Sequence, residues 1–216
     1  MVRRAKSFLP PATELDATII SWGNGRRMHR IHDFIYPGNG FNPSRRGNAR
    51  FSPLLDSDGK IVPTLYAGTS LDCALMETIF HDVPFAVGFK PLSMKKMAGK
   101  VHTVFTPNVD LKLIDLSTIA LRRLGVDRTH LIDTTKRHYP ETRKWADRFY
   151  SQYGKVQGLR WTSRQDDNAH AVVLFGTRVK LANLVVAGPS SPLLTGDLAS
   201  SAVINLAIRL GVTLVE

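Results

Sequence analysis

IVPTLYAGTSLDCALMETIF, residues Ile61–Phe80, is the stretch on which the reading of the fold turns. Its first part, Ile61–Ala67, reads as a strand. Thr69 and Ser70 then offer hydroxyls suited to capping a helix. Leu71, Ala74, Leu75, Thr78 and Ile79 follow as one stripe at helical spacing, which predicts a helix to about Phe80. Cys73, Met76 and Phe80 cover much of its remaining surface, and a helix apolar nearly all round is a buried one. Glu77 lies in its middle, about 60° round from Ala74 at roughly 3.6 residues per turn. Burying a carboxylate is costly unless it is paired or used. Two readings stay open here: Glu77 leans out of an edge and pairs with one of the many arginines, or it faces a pocket and does chemistry.

Working outward, Phe85–Pro91, Val101–Thr106 and Leu111–Leu116 read as strands, and Thr118–Leu124 as a short helix. Pro140 opens a helix through about Tyr153, since proline is tolerated in a first turn. Gly158–Thr162 and Ala171–Phe175 are strand-like, the second a buried apolar run. Leu181–Ala187 reads as another strand. Asp197–Leu210 is an amphipathic helix that Gly211 stops, and Val212–Val215 closes as a strand. Upstream, residues 1–25 read as an N-terminal arm with a short helix over Thr13–Ile20, and residues 26–216 as one domain. Between them and the opening strand, Tyr36–Asp58 carries Pro37, Gly38, Gly40, Pro43, Gly47 and Pro53 among basic and aromatic residues. It reads as a long ordered loop, and such loops often carry function. Without repeats or regular βαβ alternation, the fold class is α+β: a single domain of mixed, mostly antiparallel short-stranded sheets with flanking helices.

The totals agree with this. A chain of 216 residues, 43% hydrophobic and 22% charged, can close one sizeable core. The single cysteine, Cys73, excludes an intramolecular disulfide and a cysteine-rich metal site, and suits a reducing compartment. No apolar run approaches the roughly 18 residues of a bilayer span. The basic N-terminus is not followed by an apolar core of signal-peptide length. The expected location is the cytoplasm, with no membrane contact. The net charge of +11 attracts polyanions: nucleic acid, phosphorylated small molecules or an acidic protein. The basic residues are dispersed, with no zinc-finger spacing, basic zipper or aromatic–basic RNA motif, so direct nucleic-acid binding is the weaker reading.

Two further segments combine residue types that bind ligands. Phe41–Pro53, FNPSRRGNARFSP, sets Arg45, Arg46 and Arg50 among small polar residues and the aromatics Phe41 and Phe51. Arginine forks bind phosphates in two-pronged fashion, and aromatic rings stack on bases or on nicotinamide. Its glycines form neither a GxGxxG nor a Walker pattern, so a basic surface loop is the alternative. Leu159–Asn168, LRWTSRQDDN, puts Ser163 and Arg164 where a strand ends, a common place for ligand contacts. A hairpin turn is the alternative there. Ser163 lies in no GxSxG elbow and is not read as a hydrolase nucleophile. The seven histidines show no HExxH or similar pair, so each is assigned a structural or surface role and no metal site is expected.

In this order the segments resemble the RES domain, named for its arginine, glutamate and serine. The resemblance begins at Arg30 in His29-Arg-Ile-His. It continues through Asn48-Ala-Arg-Phe-Ser-Pro, Leu65-Tyr-Ala-Gly-Thr-Ser and Ala74-Leu-Met-Glu-Thr. It closes with Gly158-Leu-Arg-Trp-Thr-Ser-Arg and Val172-Val-Leu-Phe, so it covers most of the chain. No single piece is specific; the ordered set is. The resemblance implies a fold similar to ADP-ribosyltransferase toxins, with residues 26–216 as the catalytic domain. It implies the toxin of a toxin–antitoxin pair, whose antitoxin carries an Xre-like helix-turn-helix region and masks the active site. The implied activity is NAD degradation by phosphorolysis or glycohydrolysis, with neither cofactor nor metal. Transfer of ADP-ribose to a protein is the alternative, and a basic nucleic-acid-binding module is an alternative of another class. Under the resemblance Arg30 and Arg50 hold the NAD phosphates or an incoming phosphate, with Arg46 sharing that role. Tyr66 packs on the nicotinamide side, Glu77 is the catalytic acid and Ser163 touches the ligand, with Phe51 and Arg164 nearby. The chain departs from the family pattern at Asn48-Ala-Arg-Phe, where many members carry a Gly-Gly-Arg-Trp-like segment.

Overall fold

The computed structural model of the chain describes residues 9–216. In chain order the strands are β1 (Ile19–Trp22), β2 (Met28–Asp33), β3 (Leu54–Leu55), β4 (Ile61–Val62), β5 (Thr64–Gly68), β6 (Pro91–Ser93) and β7 (Lys100–Pro107). They continue as β8 (Leu111–Asp115), β9 (Gly158–Thr162), β10 (His170–Phe175), β11 (Leu184–Val186), β12 (Ser191–Pro192) and β13 (Thr213–Val215). The α-helices are α1 (Leu71–Met76), α2 (Thr118–Arg123), α3 (Arg128–Leu131), α4 (Tyr139–Gln152) and α5 (Asp197–Leu210).

The main sheet runs β1-β8-β9-β10-β5-β2-β7-β11, with β12 also paired to β7. Only β8 and β9 are parallel neighbours in it; the rest are antiparallel. This is the mixed, mostly antiparallel α+β architecture expected from the strand and helix pattern. Period-two alternation splits the central strands between two cores. Leu159, Trp161, Ala171, Val173 and Phe175 pack with Trp145 and Phe149 of α4. Leu65, Val172 and Leu174 face the other way, with Trp22, Met28 and Phe105. A third cluster joins α1 and α5 to β2 through Ala74, Leu75, Val203, Leu206 and Ile31.

Two details position the site. First, β2 and β5 share a single register pair, His29 with Gly68, so they diverge beyond it. Second, α1 begins hard against that pair. A Cβ on Gly68 would lie 2.9 Å from Cys73 Sγ and 3.0 Å from the Ala74 amide, so only glycine lets strand and helix approach this closely.

Several elements differ from the sequence expectation. Ser70 caps α1 as anticipated, its Oγ accepting from the Cys73 amide at 3.0 Å. The helix ends at Met76 rather than near Phe80, and Glu77 is its C-cap instead of its middle. The Thr78 hydroxyl donates to the Ala74 carbonyl, and the amides of Ile79 and Phe80 both converge on Leu75, which ends the regular ladder. Thr13–Ile20 is not helical. The Ala17 amide donates to Tyr153 Oη, and Gln152 of α4 bonds both the amide and the carbonyl of Leu15. The chain is thereby drawn straight into β1 at the sheet edge, and residues 15–22 of the expected arm belong to the domain. Residues 1–8 lie outside the described residues. Phe85–Pro91 is not a strand, because only Pro91–Ser93 finds a partner, in β13. Phe85, Val87 and Phe89 stand 97%, 101% and 74% exposed.

Candidate active site

A cavity of about 370 Å³ opens between the diverging strands β2 and β5. Its wall is completed by the end of α1, the loop from Asn42 to Pro53 and the start of α4. This volume is in the range that small-molecule sites occupy.

Glu77 lines the cavity. Its Oε1 accepts a hydrogen bond from Ser163 Oγ at 2.6 Å. Ser163 is completely buried, and its Oγ also accepts from the amides of Gln165 (3.0 Å) and Asp166 (3.1 Å). With its lone pairs taken by the turn that follows β9, the hydroxyl has one role left, to donate to Glu77. Ser163 is therefore behind the carboxylate and does not line the cavity, which corrects the expected ligand contact. The edge ion pair considered for Glu77 is not formed; among the described residues it has no salt-bridge partner within 4.0 Å.

Arg30 and Arg50 both line the same cavity. Arg30, on β2, donates from Nη1 to the carbonyls of Gly38 (3.0 Å) and Gly40, which anchors the start of the loop. Burial brings its guanidinium down to about 10. Arg50 is 5% exposed. Its Nη1 donates to Thr134 Oγ1 at 2.8 Å, its Nη2 lies 3.4 Å from Tyr139 Oη, and its guanidinium stands 5.0 Å from the centre of the Tyr139 ring. Burial lowers its proton affinity, while Tyr139 and Glu77 offset part of that. Thr142 of α4 donates to the Arg50 carbonyl and so pins this loop residue to the helix. Neither guanidinium forms an ion pair with a carboxylate of the described residues. A buried guanidinium and a half-buried one, neither in an ion pair within 4.0 Å, can together take an anion at this cavity.

Tyr66, on β5, also lines the cavity, with its ring edge-on to Trp161 at 6.3 Å between centroids. Its hydroxyl accepts from the Phe51 amide at 3.1 Å, and burial pushes the phenol up to about 12. Arg46 reaches the cavity from the exposed side of the loop. Phe51 does not. It is fully buried and packs edge-on against Trp161 at 5.1 Å, because Arg50 and Tyr66 take the cavity side at this point. Arg164 is also absent from the lining, since its Nη1 is drawn to the Thr134 carbonyl at 2.9 Å. It supports the segment that Arg50 grips. The one cysteine, Cys73, is buried beside Glu77, and burial pushes its thiol to about 12, so it is no nucleophile.

The structure adds residues that motif reading passed over. His29, His81, Lys136 and Tyr139 all line the cavity. His29 stacks on His102 at 5.1 Å, their Nδ1 and Nε2 atoms 3.0 Å apart. His29 therefore keeps a structural partner while it lines the cavity. His81 had one available signal, its position four residues after Glu77. Tyr139 and Lys136 had none, because they arrive from a segment nearly 60 residues downstream. No group of three or more His, Cys, Asp or Glu among the described residues is placed to hold a metal ion, and no helix among them is long and apolar enough to cross a membrane.

No curated protein matches the sequence. A chain in the crystal structure of the M. tuberculosis MbcT-MbcA toxin-antitoxin complex superposes with a TM-score of 0.59 at 17% identity, covering 85% of this chain and 91% of that one. At that identity the likeness speaks for the fold. The family model of the RES domain matches residues 27–195, a span that contains Arg30, Arg50, Tyr66, Glu77 and Ser163, and the chain belongs to the RES domain family.

Proposed function

We propose that this protein degrades NAD by cleaving the bond between nicotinamide and ribose, with water or inorganic phosphate as acceptor. The observation that carries the reading is one held carboxylate and two guanidiniums outside any ion pair, Arg50 buried and Arg30 half-buried, in a single cavity. NAD offers the complementary charges: a pyrophosphate for arginine, and a ribose that becomes positive as nicotinamide departs. In the reaction the C1′–N bond breaks and its electron pair stays on the nicotinamide nitrogen, which leaves neutral. Glu77 stabilises the oxocarbenium-like sugar in a site of low dielectric. Arg30 and Arg50 hold the pyrophosphate and fix the reacting end. The ring of Tyr66 supplies a surface for nicotinamide.

The protein acts as a toxin in the cytoplasm, and its partner is an antitoxin with an Xre-like helix-turn-helix region that covers the cavity. Membership of the RES domain family and a fold shared with a chain of a toxin–antitoxin complex support this. The formal charge of +11 suits both an anionic substrate and an acidic partner. Purified protein free of antitoxin is incubated with NAD, with and without phosphate, and nicotinamide is quantified. Release of nicotinamide is expected. Unchanged NAD in both mixtures, from protein shown to be folded, rejects the reading. Labelled NAD marking a protein band would point instead to ADP-ribose transfer.

A further inference from the structure

The turn that holds Glu77 also holds a second chemical group. Gln165, whose amide is tied to Ser163 Oγ, donates from its side chain to the main-chain oxygen of His81 at 3.2 Å. His81 Nδ1 lies 2.8 Å from Asp82 Oδ1. Lys136 Nζ is 2.9 and 2.8 Å from the two Asp82 oxygens. A carboxylate at Nδ1 decides the tautomer: Nδ1–H donates to Asp82 and Nε2 keeps its lone pair. That lone pair lies on the side of Tyr139, whose Oη is 3.4 Å from Nε2 and 3.4 Å from Arg50 Nη2. A separation of 3.4 Å is long for a bond from a hydroxyl, so Nε2 is not saturated by the phenol. The His81 side chain is 14% exposed and lines the cavity together with Glu77, Tyr139 and Lys136. An acid orienting an imidazole, whose other nitrogen has only a long contact with a phenol at the cavity, is the arrangement by which a histidine accepts a proton from an attacking nucleophile.

We infer that His81 is the general base of the reaction, with Asp82 as its orienting residue, and that the acceptor it serves is water. The inference rests on the NAD-cleaving reading above and chooses between its two acceptors. As the water oxygen bonds to C1′, its proton passes to His81 Nε2. The C1′–N bond breaks and its electrons remain on nicotinamide. Asp82 stabilises the imidazolium that results. Its carboxyl is held down to about 2, first by the Lys136 hydrogen bond and then by that of His81, so it stays ionised throughout. Phosphate dianion already carries a nucleophilic oxygen and gains little from such a base. Water gains most.

The test measures nicotinamide release from NAD by the full chain, its His81→Gln variant and its Asp82→Asn variant. Each is assayed in phosphate-free buffer, with added phosphate, and with added azide, an anionic acceptor that has no proton to lose. For His81→Gln, kcat with water is expected to fall on the order of 10²–10⁴-fold. KM for NAD should change only a few-fold, and azide should recover most of the lost rate. Asp82→Asn should show a smaller loss with the same recovery. Equal losses with water and azide indicate a structural role and overturn the inference, as does full hydrolysis by folded His81→Gln. If His81→Gln does not fold, Asp82→Asn decides by the same contrast. Unmutated protein that cleaves NAD only when phosphate is added overturns the role of His81 and leaves NAD cleavage standing. Protein that releases no nicotinamide with any acceptor removes both.

Discussion

The fold holds arginine in two ways. Arg160, on β9, is paired in register with Asp115 on β8, and their side chains meet at 2.7 Å. They are 17% and 13% exposed, and His170 closes the group from β10. Asp115 also takes the amide and hydroxyl of Ser117, the N-cap of α2. Every charge there has its opposite, and the cluster ties three strands to a helix. Arg30 and Arg50 are held as firmly, yet by carbonyls, a hydroxyl and an aromatic ring. Such partners orient a guanidinium without neutralising it. The same residue type is thus a brace at β9 and, at the cavity, a guanidinium that the protein's own carboxylates leave outside any ion pair. The difference is whether the chain itself supplies the carboxylate.

Four changes test that contrast. The largest effect is expected at Glu77, the carboxylate proposed to face the sugar. Glu77→Gln keeps the shape and the bond from Ser163 and should lower nicotinamide release on the order of 10³-fold, with an unchanged melting temperature checked by circular dichroism. Arg50→Ala and Arg160→Met then separate the two kinds of arginine. Arg50→Ala should reduce kcat/KM by roughly 10–100-fold, the worth of a charge-assisted contact. Arg160→Met should cost about 1–3 kcal/mol in urea unfolding, as expected when a charge-assisted bond of a half-buried pair is removed, with activity per folded molecule retained. If the two variants exchange phenotypes, the contrast is wrong.

Ligand binding sharpens the same point. The inactive Glu77→Gln protein at about 100 times its Kd for NAD should gain about 2.7 kcal/mol of stability, read as a thermal shift. Adding Arg50→Ala, with NAD binding weakened roughly 10–100-fold, should cut that gain to about 0.4–1.4 kcal/mol at the same NAD concentration, and adding Arg160→Met should leave it whole. The smallest effect is expected at Ser163→Ala. It leaves two turn amides without an acceptor and lets the Glu77 carboxylate swing, for about 1–2 kcal/mol of stability and a loss of activity near tenfold.

Much of this was legible from residue order. Helix α5 and its Gly211 stop, helix α4 opened by Pro140, and the buried run that becomes β10 all carry local signals, because capping, proline geometry and apolar periodicity act over a few neighbours. The same holds for the candidate residues Arg30, Arg50, Tyr66 and Glu77, which the ordered segments single out and the cavity brings together. Elsewhere distant contacts outvoted the local pattern. Thr13–Ile20 has helical spacing, but Gln152 and Tyr153 of α4 pull it straight. Phe85–Pro91 has strand composition, but a strand exists only where a neighbour completes its ladder. Phe51 and Ser163 have the right chemistry for a ligand, but one is turned into the core and the other is walled in behind Glu77.

Residue order alone therefore determined the elements with strong local codes, the family and the charged residues that the fold gathers at one cavity. Which of those charges would stand unpaired depended on tertiary packing. For Arg160 and Arg50 the deciding groups lie 45 and 84 positions away, and no local spacing encodes that distance. Asp115 reaches Arg160 across 45 positions. Arg50 meets Thr134 across 84 and finds only a hydroxyl. His81 meets Tyr139 across 58, which is why the base inferred for the reaction became visible only in the folded chain.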